Sequence, residues 1–255
     1  MTPLKRALIE KAGHEHGFEH ILMTGNDFVH LASARHPARV SVAVQPQGFV
    51  AALIQGPSEL LFELERSFLH LSRDGSSFVL SGESELAYWL RRASALAQSL
   101  PNQAAVDFDT QVQQALASLP ASDVSNTEVQ RMVRQRVGQD RYRQAMLNYW
   151  GGACAVTGLT LSPALRASHA KPWADCETDA ERLDVFNGFL LSANLDALFD
   201  KFLISFTDDG ALLVSSQLSD SDCQLLGINI ELSLRWIAPG HAPYLEFHRA
   251  RFGNL

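Results

Sequence analysis

The chain has 255 residues, of which 46% are hydrophobic and 19% are charged. This length fits one large domain or two modest ones, and the composition excludes collagen-like, low-complexity and largely disordered proteins. The formal net charge of −7 argues against a strongly basic nucleic-acid coat protein, but it does not exclude a local basic surface.

Membrane and disulfide-rich classes are excluded next. The sequence has no apolar run of about 18 residues, so we expect no membrane-spanning helix. No apolar segment follows Lys5 and Arg6, as one would in a secretory signal. The cysteines (Cys154, Cys176 and Cys223) are odd in number, widely spaced and without a C-x-x-C pair, which argues against a disulfide framework and a zinc ribbon. We therefore expect a cytoplasmic protein with no membrane partner.

The first hundred residues are predicted to form an α+β module over 1–105. Apolar spacing predicts helices at 4–12, 60–71 and 83–100. Alternating apolar runs between turn signals predict strands at 20–23, 27–32, 40–44, 48–54 and 78–80. The sequence assigns this module no role, and recognition of DNA and docking of a protein partner both stay open.

A connector is predicted at 106–126, with a helix over 106–118, followed by a second domain at 127–255. Thr127 and Asp140 are suitable N-caps, which predicts two helices, 128–138 and 140–150. Between Arg131 and Arg143 these helices carry five arginines against one acid. The cluster, including Arg141 and Arg143, is either a DNA contact or a solvated helix face.

The segment 151–210 is predicted to contain strand, loop, strand and helix in that order. A strand followed by a turn is expected at 154–158. Further strands are expected at the run that starts at 165, at 189–191, and in a hairpin of 204–206 with 212–214. A polar loop is expected at 175–184, and Ser192 or Asn194 can cap a helix through Leu203. This order places His169, Asn187 and the acids of the helix in one small region.

Three separated blocks in this segment carry a family resemblance: RASHAKPW at 166–173, ERLDVFNGFLL at 181–191 and NLDALFD at 194–200. Over about residues 130–210 the chain resembles the HNH endonuclease family, in its branch without zinc-binding cysteines. The resemblance implies a ββα-metal fold and divalent-metal-dependent hydrolysis of DNA, in a restriction or defence setting. The expected fold class is α+β, with an N-terminal α+β module followed by a ββα-metal (HNH) nuclease domain.

His169 and Asn187 are the expected catalytic residues. His169 matches the histidine that acts as general base in the family, and an imidazole can take a proton from water at neutral pH. Asn187 matches the middle motif position, whose side chain braces the loop that carries the histidine. The alternative is that Asn187, before Gly188, only holds a turn with positive φ.

The expected metal ligands lie on the helix and next to the base. Asp196 and Asp200 are four residues apart, hence on one helix face, and carboxylate oxygens suit Mg²⁺, with Mn²⁺ as the alternative. Asn194 and Asp196 are the candidates for the third motif position, which is a histidine in many relatives. Ser168 occupies a position where many relatives have an Asp or His ligand. This substitution motivates the alternative function of a catalytically weak or inactive HNH-fold DNA-binding protein.

The expected partner is DNA. Arg166 and Lys171 flank the base, where they either hold phosphate or form a solvated surface. Cutting both strands would favour a homodimer. A third interpretation makes the N-terminal module an interaction domain for a protein partner, with the nuclease as its effector.

Overall fold

The structure is a computed structural model that describes residues 1–100, 103–119 and 127–253. The chain divides into two compact units, Met1–Gln103 and Ala104–Leu255, and both contain helices and strands. The α+β class is therefore confirmed. The predicted connector contains most of a helix, Gln103–Ala117, and its residues 120–126 lie outside the described residues. No helix in the described ranges is long and apolar enough to cross a membrane.

The N-terminal unit is a six-stranded antiparallel sheet with helices on one face, and its strand order is β1-β2-β3-β4-β6-β5. The strands are β1 His20–Thr24, β2 Phe28–Ala32, β3 Arg39–Gln45, β4 Gly48–Gln55, β5 Arg73–Asp74 and β6 Ser77–Leu80. The helices are α1 Pro3–Glu15, α2 Leu60–Ser67 and α3 Glu83–Ser99. Alternate strand residues such as Val29, Leu31, Val40 and Val42 are fully buried, as a sheet covered on one side requires.

The second unit is built around a strand–strand–helix element. Its elements are α4 Gln103–Ala117, α5 Thr127–Tyr149, β7 Leu165–His169, α6 Asp179–Leu183, β8 Gly188–Ser192, α7 Ala193–Asp200, β9 Ile204–Phe206, β10 Leu212–Val214, α8 Asp220–Leu226 and α9 Ala242–Arg249. Strands β7 and β8 pair antiparallel, and α7 packs on both. Phe189, Leu190 and Leu191 of β8 are fully buried, and each contributes about 1.5–3 kcal/mol of hydrophobic stabilisation.

Three local predictions in this unit are wrong. In place of the two helices expected at 128–138 and 140–150, the chain forms the single helix α5. Gly138 does not end a helix. It lies in the interior of α5, where a Cβ would be 2.3 Å from the Trp173 ring, so the glycine serves close packing. Residues 154–158 contain the predicted turn but no strand, and the turn is closed by the Gly158 amide, which donates to the Cys154 carbonyl at 3.1 Å. Helix α7 ends at Asp200, because Phe202 has a φ of 53° and closes the helix.

Part of the predicted polar loop at 175–184 is also ordered as a helix. Helix α6 begins after Thr178, whose hydroxyl accepts a hydrogen bond from the Glu181 amide at 3.2 Å. This N-cap satisfies one of the free amides of the first turn. The loop that follows the proposed base is therefore a structured segment with a fixed return to β8.

Candidate active site

The β7–β8 hairpin brings His169 and Asn187 together. His169 is the last residue of β7 and pairs with Gly188, which directly follows Asn187. Gly188 has a φ of 144°, and a Cβ there would lie 1.9 Å from the Ser168 carbonyl oxygen. Only glycine permits this close approach of the two strands. The Asn-Gly pair therefore sets the spacing between the two expected catalytic residues.

The His169 imidazole is held as a neutral ring with one defined tautomer. Its Nε2 lies 2.9 Å from the carbonyl oxygen of Arg182. Because a carbonyl oxygen only accepts, Nε2 carries the proton and Nδ1 keeps its lone pair. Nδ1 has no hydrogen-bond partner among the described residues. It is not one of the fully buried polar atoms that lack a partner, so it keeps some accessible surface.

The environment of His169 favours its unprotonated form. Burial lowers the pKa of His169 to about 4, against an opposing contribution from the Arg182 carbonyl. The ring stacks on Tyr142 with centroids 3.8 Å apart and an interplanar angle of 20°. Trp173 meets it edge-on, at 5.8 Å and 90°. At neutral pH the imidazole is therefore unprotonated and fixed in orientation, and its lowered pKa makes it a weaker base than an ordinary histidine.

Asn187 braces the loop that follows His169. Its side chain is fully buried, and its Oδ1 accepts from the Lys171 amide at 2.8 Å. Its Nδ2 donates to the carbonyls of Lys171, at 3.2 Å, and Glu181, at 3.0 Å. Phe202 is the one non-glycine residue with positive φ in the described ranges, so Asn187 itself does not adopt that conformation. Its contacts are those of a loop brace, not of a left-handed turn residue.

Ser168, which precedes His169 in the sequence, forms a polar pair with Asp196. The Ser168 hydroxyl donates to Asp196 Oδ1 at 2.7 Å, which connects β7 to α7. Asp200, one turn later on α7, is exposed and forms an ion pair with Lys201 at 3.5 Å. Asn194 is directed elsewhere: its Oδ1 accepts from Ser192, and its Nδ2 donates to the Leu226 carbonyl at 2.9 Å.

The oxygen atoms of Ser168 and Asp196 suit a Mg²⁺ ion that keeps several water ligands better than an ion ligated by protein side chains alone. Within the described ranges, no group of three or more His, Cys, Asp or Glu side chains could hold a metal ion. Mg²⁺ binds oxygen at about 2.0–2.1 Å, keeps several waters, and often takes one or two carboxylates together with substrate phosphates. Two oxygens 2.7 Å apart, one of them a carboxylate, are close enough to be neighbouring ligands of such an ion.

The four expected DNA contacts differ in how far they are engaged within the fold. Lys171 forms an ion pair with Glu181 at 3.0 Å, and this carboxylate raises the pKa of Lys171. Arg143 donates to the carbonyls of Leu165 and Ser162, and Arg141 is half-buried and has an interaction partner. Arg166 is exposed, and its guanidinium donates to backbone carbonyls only. Of the four, Arg166 is the cation best placed to meet a phosphate.

Two residues at the site were missed by sequence reasoning. Arg182 supplies the carbonyl that fixes His169, and its own guanidinium donates to the Trp173 carbonyl at 3.2 Å and to Asp179 at 3.1 Å. Tyr142 supplies the stacked ring, and in the sequence it looks like any core residue of an amphipathic helix. A backbone acceptor and a ring contact leave no pattern in a single sequence.

The comparison with known families locates the same segment. Residues 154–207 match the model of a family described as HNH endonuclease. The matched range contains the β7–β8 hairpin, α7 and β9, and with them His169, Asn187, Ser168 and Asp196. No curated protein matches the chain. The predicted family resemblance is therefore confirmed for this part of the chain.

Proposed function

From the HNH endonuclease domain formed by residues 154–207 we propose that this chain is a divalent-metal-dependent endonuclease that hydrolyses DNA phosphodiester bonds. The observation that supports it most is the state of His169: its ring is fixed through Nε2, and its Nδ1 has no hydrogen-bond partner among the described residues. The preceding residue, Ser168, is hydrogen-bonded to Asp196. Hydrolysis of a phosphodiester needs a water made nucleophilic and charge stabilisation on the phosphate. In the proposal, His169 Nδ1 takes the proton from that water.

The remaining residues hold the other components in place. Asp196, assisted by Ser168, would hold Mg²⁺ or Mn²⁺, and such an ion polarises phosphoryl oxygens and stabilises developing negative charge. Asp200 would contribute less, because it is exposed and paired with Lys201. Asn187 keeps the His169 loop in register, and Arg166, which is exposed on β7, holds a phosphate.

Plasmid cutting by three proteins tests the proposal. The wild type, His169→Ala and His169→Gln are compared with Mg²⁺, with Mn²⁺ and with EDTA. Gln can still donate to the Arg182 carbonyl but cannot accept a proton at neutral pH, so it separates loss of the base from loss of structure. We expect metal-dependent cutting by the wild type and a loss of about 10²–10⁴-fold in both variants. Equal cutting by His169→Gln would reject His169 as the base.

A second candidate function is an HNH-fold DNA-binding protein that does not cut. Ser168 in place of an acidic or imidazole ligand favours it, as does the small number of acidic donors at the site. DNA binding measured by fluorescence anisotropy, with and without EDTA, separates the two. Binding that is unaffected by EDTA, together with no cutting of methylated, unmethylated or single-stranded DNA, would support the binding protein.

The biological setting in the proposal is cytoplasmic restriction or defence, by analogy with the family alone. Comparing the cutting of methylated and unmethylated plasmid tests whether the protein acts in restriction. The ratio of nicked to linear product, measured beside the mass of the protein in solution, tests whether a homodimer cuts both strands.

For the N-terminal module, the surface favours a protein partner over DNA. Its edge strand β1 exposes Ile21, Leu22 and Met23, each to about half of its surface. An unpaired strand edge with apolar side chains is a template for another chain and offers phosphates no charge. If this edge is used, Ile21→Lys should change the association state of the full chain and leave DNA binding intact. Loss of DNA binding with unchanged association would favour DNA recognition instead.

A further inference from the structure

We propose that Tyr142 is a positioning residue for His169: its buried ring holds the imidazole in the one orientation that presents Nδ1 to a water molecule. This inference rests on the proposed function and adds a residue outside the matched family segment, since Tyr142 lies on α5 and the match begins at residue 154. The orientation of the imidazole depends on which movements the surrounding groups allow.

Three groups restrain the His169 ring from different directions. Tyr142 covers one face at a centroid distance of 3.8 Å, and Trp173 meets it edge-on at 5.8 Å. The Arg182 carbonyl accepts from Nε2 at 2.9 Å. Rotation about the Cβ–Cγ bond would break the hydrogen bond and drive the imidazole edge into the Tyr142 ring. A single hydrogen bond permits tilting, so the stacked ring is the contact that fixes the plane.

Tyr142 is itself fixed where α5 packs against the β7–β8 hairpin. Its side chain is 1% exposed, and its hydroxyl donates to the Asn187 carbonyl at 2.8 Å, with the Ser168 carbonyl 3.4 Å away. The next residue, Arg143, ties α5 to the start of β7 through the Leu165 carbonyl at 2.8 Å. The position of the Tyr142 ring is therefore set at both ends of β7.

Burial determines which kinetic constant should change. A residue that is 1% exposed does not touch DNA, so its loss leaves substrate binding intact. A misoriented base slows the chemical step, and a misplacement of about 1 Å can reduce a rate by about 10²-fold. The expected signature of a Tyr142 defect is a lower kcat with an unchanged KM.

Two substitutions separate the ring from the hydroxyl. Tyr142→Leu removes the stacked ring, and we expect kcat to fall by about 10- to 100-fold with KM unchanged. Tyr142→Phe keeps the ring, and the Asn187 carbonyl still accepts from the Ala170 amide at 3.2 Å, so we expect kcat near that of the wild type. Trp236→Leu is the matched control: it removes a ring stacked on Trp150 at 4.3 Å in the same unit, and should leave kcat unchanged.

A spectroscopic readout tests the inference without cutting activity. In the full chain labelled with ¹⁵N-histidine, the His169 signal, assigned by its absence in His169→Gln, should report a single tautomer protonated at Nε2. Tyr142→Phe should keep that tautomer, and Tyr142→Leu should show a mixture. If Leu prevents folding, Tyr142→Met replaces it, since a flexible thioether fills more of the space without a ring.

The outcomes are distinguishable from failure of the proposed function. A wild type that does not cut, but whose tautomer is lost in Tyr142→Leu, rejects the nuclease proposal and keeps the positioning role. Retention of both kcat and tautomer in Tyr142→Leu overturns the inference. A loss of kcat in Tyr142→Phe as large as in Tyr142→Leu would assign the effect to the hydroxyl and overturn it as well, as would an equal loss in Trp236→Leu.

Discussion

Ser168 occupies a position where the choice of one side chain sets the charge of the proposed metal site. Its hydroxyl donates to Asp196 at 2.7 Å, so the pair offers one carboxylate and one weak neutral ligand. Substitution of Ser168 by Asp adds a second hard anionic ligand beside the first. We expect the Mg²⁺ concentration for half-maximal cutting to fall by about tenfold, which corresponds to about 1.4 kcal/mol of binding free energy.

Two further substitutions, Asp196→Asn and Ser168→Ala, measure how much each ligand contributes to Mg²⁺ binding. Asp196→Asn should raise the half-saturating Mg²⁺ concentration by about tenfold or more, and Ser168→Ala should change it little, because a hydroxyl is a weak ligand. Cutting rate as a function of Mg²⁺ concentration, with calorimetric titration of Mn²⁺, measures both. A Ser168→Ala variant as impaired as Asp196→Asn would contradict this order of ligand strength.

His36 in the N-terminal unit predicts a pH-dependent stability. Its Nε2 lies 3.1 Å from the Gly17 carbonyl and 3.0 Å from Ser94 Oγ, and its Nδ1 is buried with no partner. Burial lowers the pKa of His36 to about 4, from the ordinary value of 6.5. Between those pH values the unfolded chain binds a proton that the folded chain does not, so the free energy of unfolding falls as the pH falls, by about 3 kcal/mol in total.

Urea unfolding at pH 7 and at about pH 4.5 tests this contribution, using His36→Gln beside the wild type. Gln can keep the hydrogen bond to Gly17 but does not titrate, so the loss of stability at the lower pH should be smaller in the variant. His14→Gln, an exposed histidine of the same unit, should behave like the wild type. An unchanged pH dependence in His36→Gln would show that His36 is not the group responsible.

At the scale of the elements, α5 depends on a glycine in its interior. A Cβ at Gly138 would lie 2.3 Å from the Trp173 ring and 3.4 Å from Phe108. Alanine is favoured over glycine inside a helix by about 1 kcal/mol, so helix propensity alone predicts stabilisation by Gly138→Ala. A rigid indole cannot yield as a flexible side chain would, and we expect a net loss of about 1–3 kcal/mol from overpacking.

Thermal unfolding of Gly138→Ala beside Gln139→Ala measures the two effects separately. Gln139 is exposed on the same helix, so its substitution by Ala should leave the melting temperature unchanged or slightly higher. Because Trp173 also contacts the His169 ring, Gly138→Ala should reduce cutting as well. A Gly138→Ala protein as stable as the wild type would show that Trp173 moves freely.

A single sequence predicts those elements whose burial or turns leave a local residue pattern, and it does not predict contacts between distant residues. A continuous apolar run after the Asn187-Gly188 turn signal indicates β8, because that strand is buried along its whole length. The break expected near Gly138 was wrong, because glycine there serves close packing rather than termination. The Ser168–Asp196 contact and the Arg182 carbonyl join residues 28 and 13 positions apart, and only the fold determines such pairings.

For the whole molecule, the distribution of charge limits how DNA is bound. Residues 104–255 contain 12 Lys and Arg against 18 Asp and Glu. Among the described residues, at least seven of these cations form ion pairs with carboxylates: Arg131, Arg134, Lys171, Arg182, Lys201, Arg249 and Arg251. At most five cations of this unit can therefore neutralise phosphates without first breaking an ion pair, and one of them is Arg166, which is exposed on β7.

This limit predicts a shallow salt dependence of DNA binding. Each neutralised phosphate contributes about −0.9 to the slope of log K against log salt concentration, so one to five contacts give a slope between about −1 and −4.5. Arg166→Gln should make the slope less negative by about 1 and weaken binding to all sequences alike.

Arg249→Gln, which removes a cation already paired with Asp208 at 2.7 Å, is the matched control and should leave the slope unchanged. Fluorescence anisotropy over a range of NaCl concentrations measures all three proteins. A steep slope that Arg166→Gln does not alter would place the phosphate contacts away from β7, because the paired cations of this unit would then have to exchange their carboxylates for DNA.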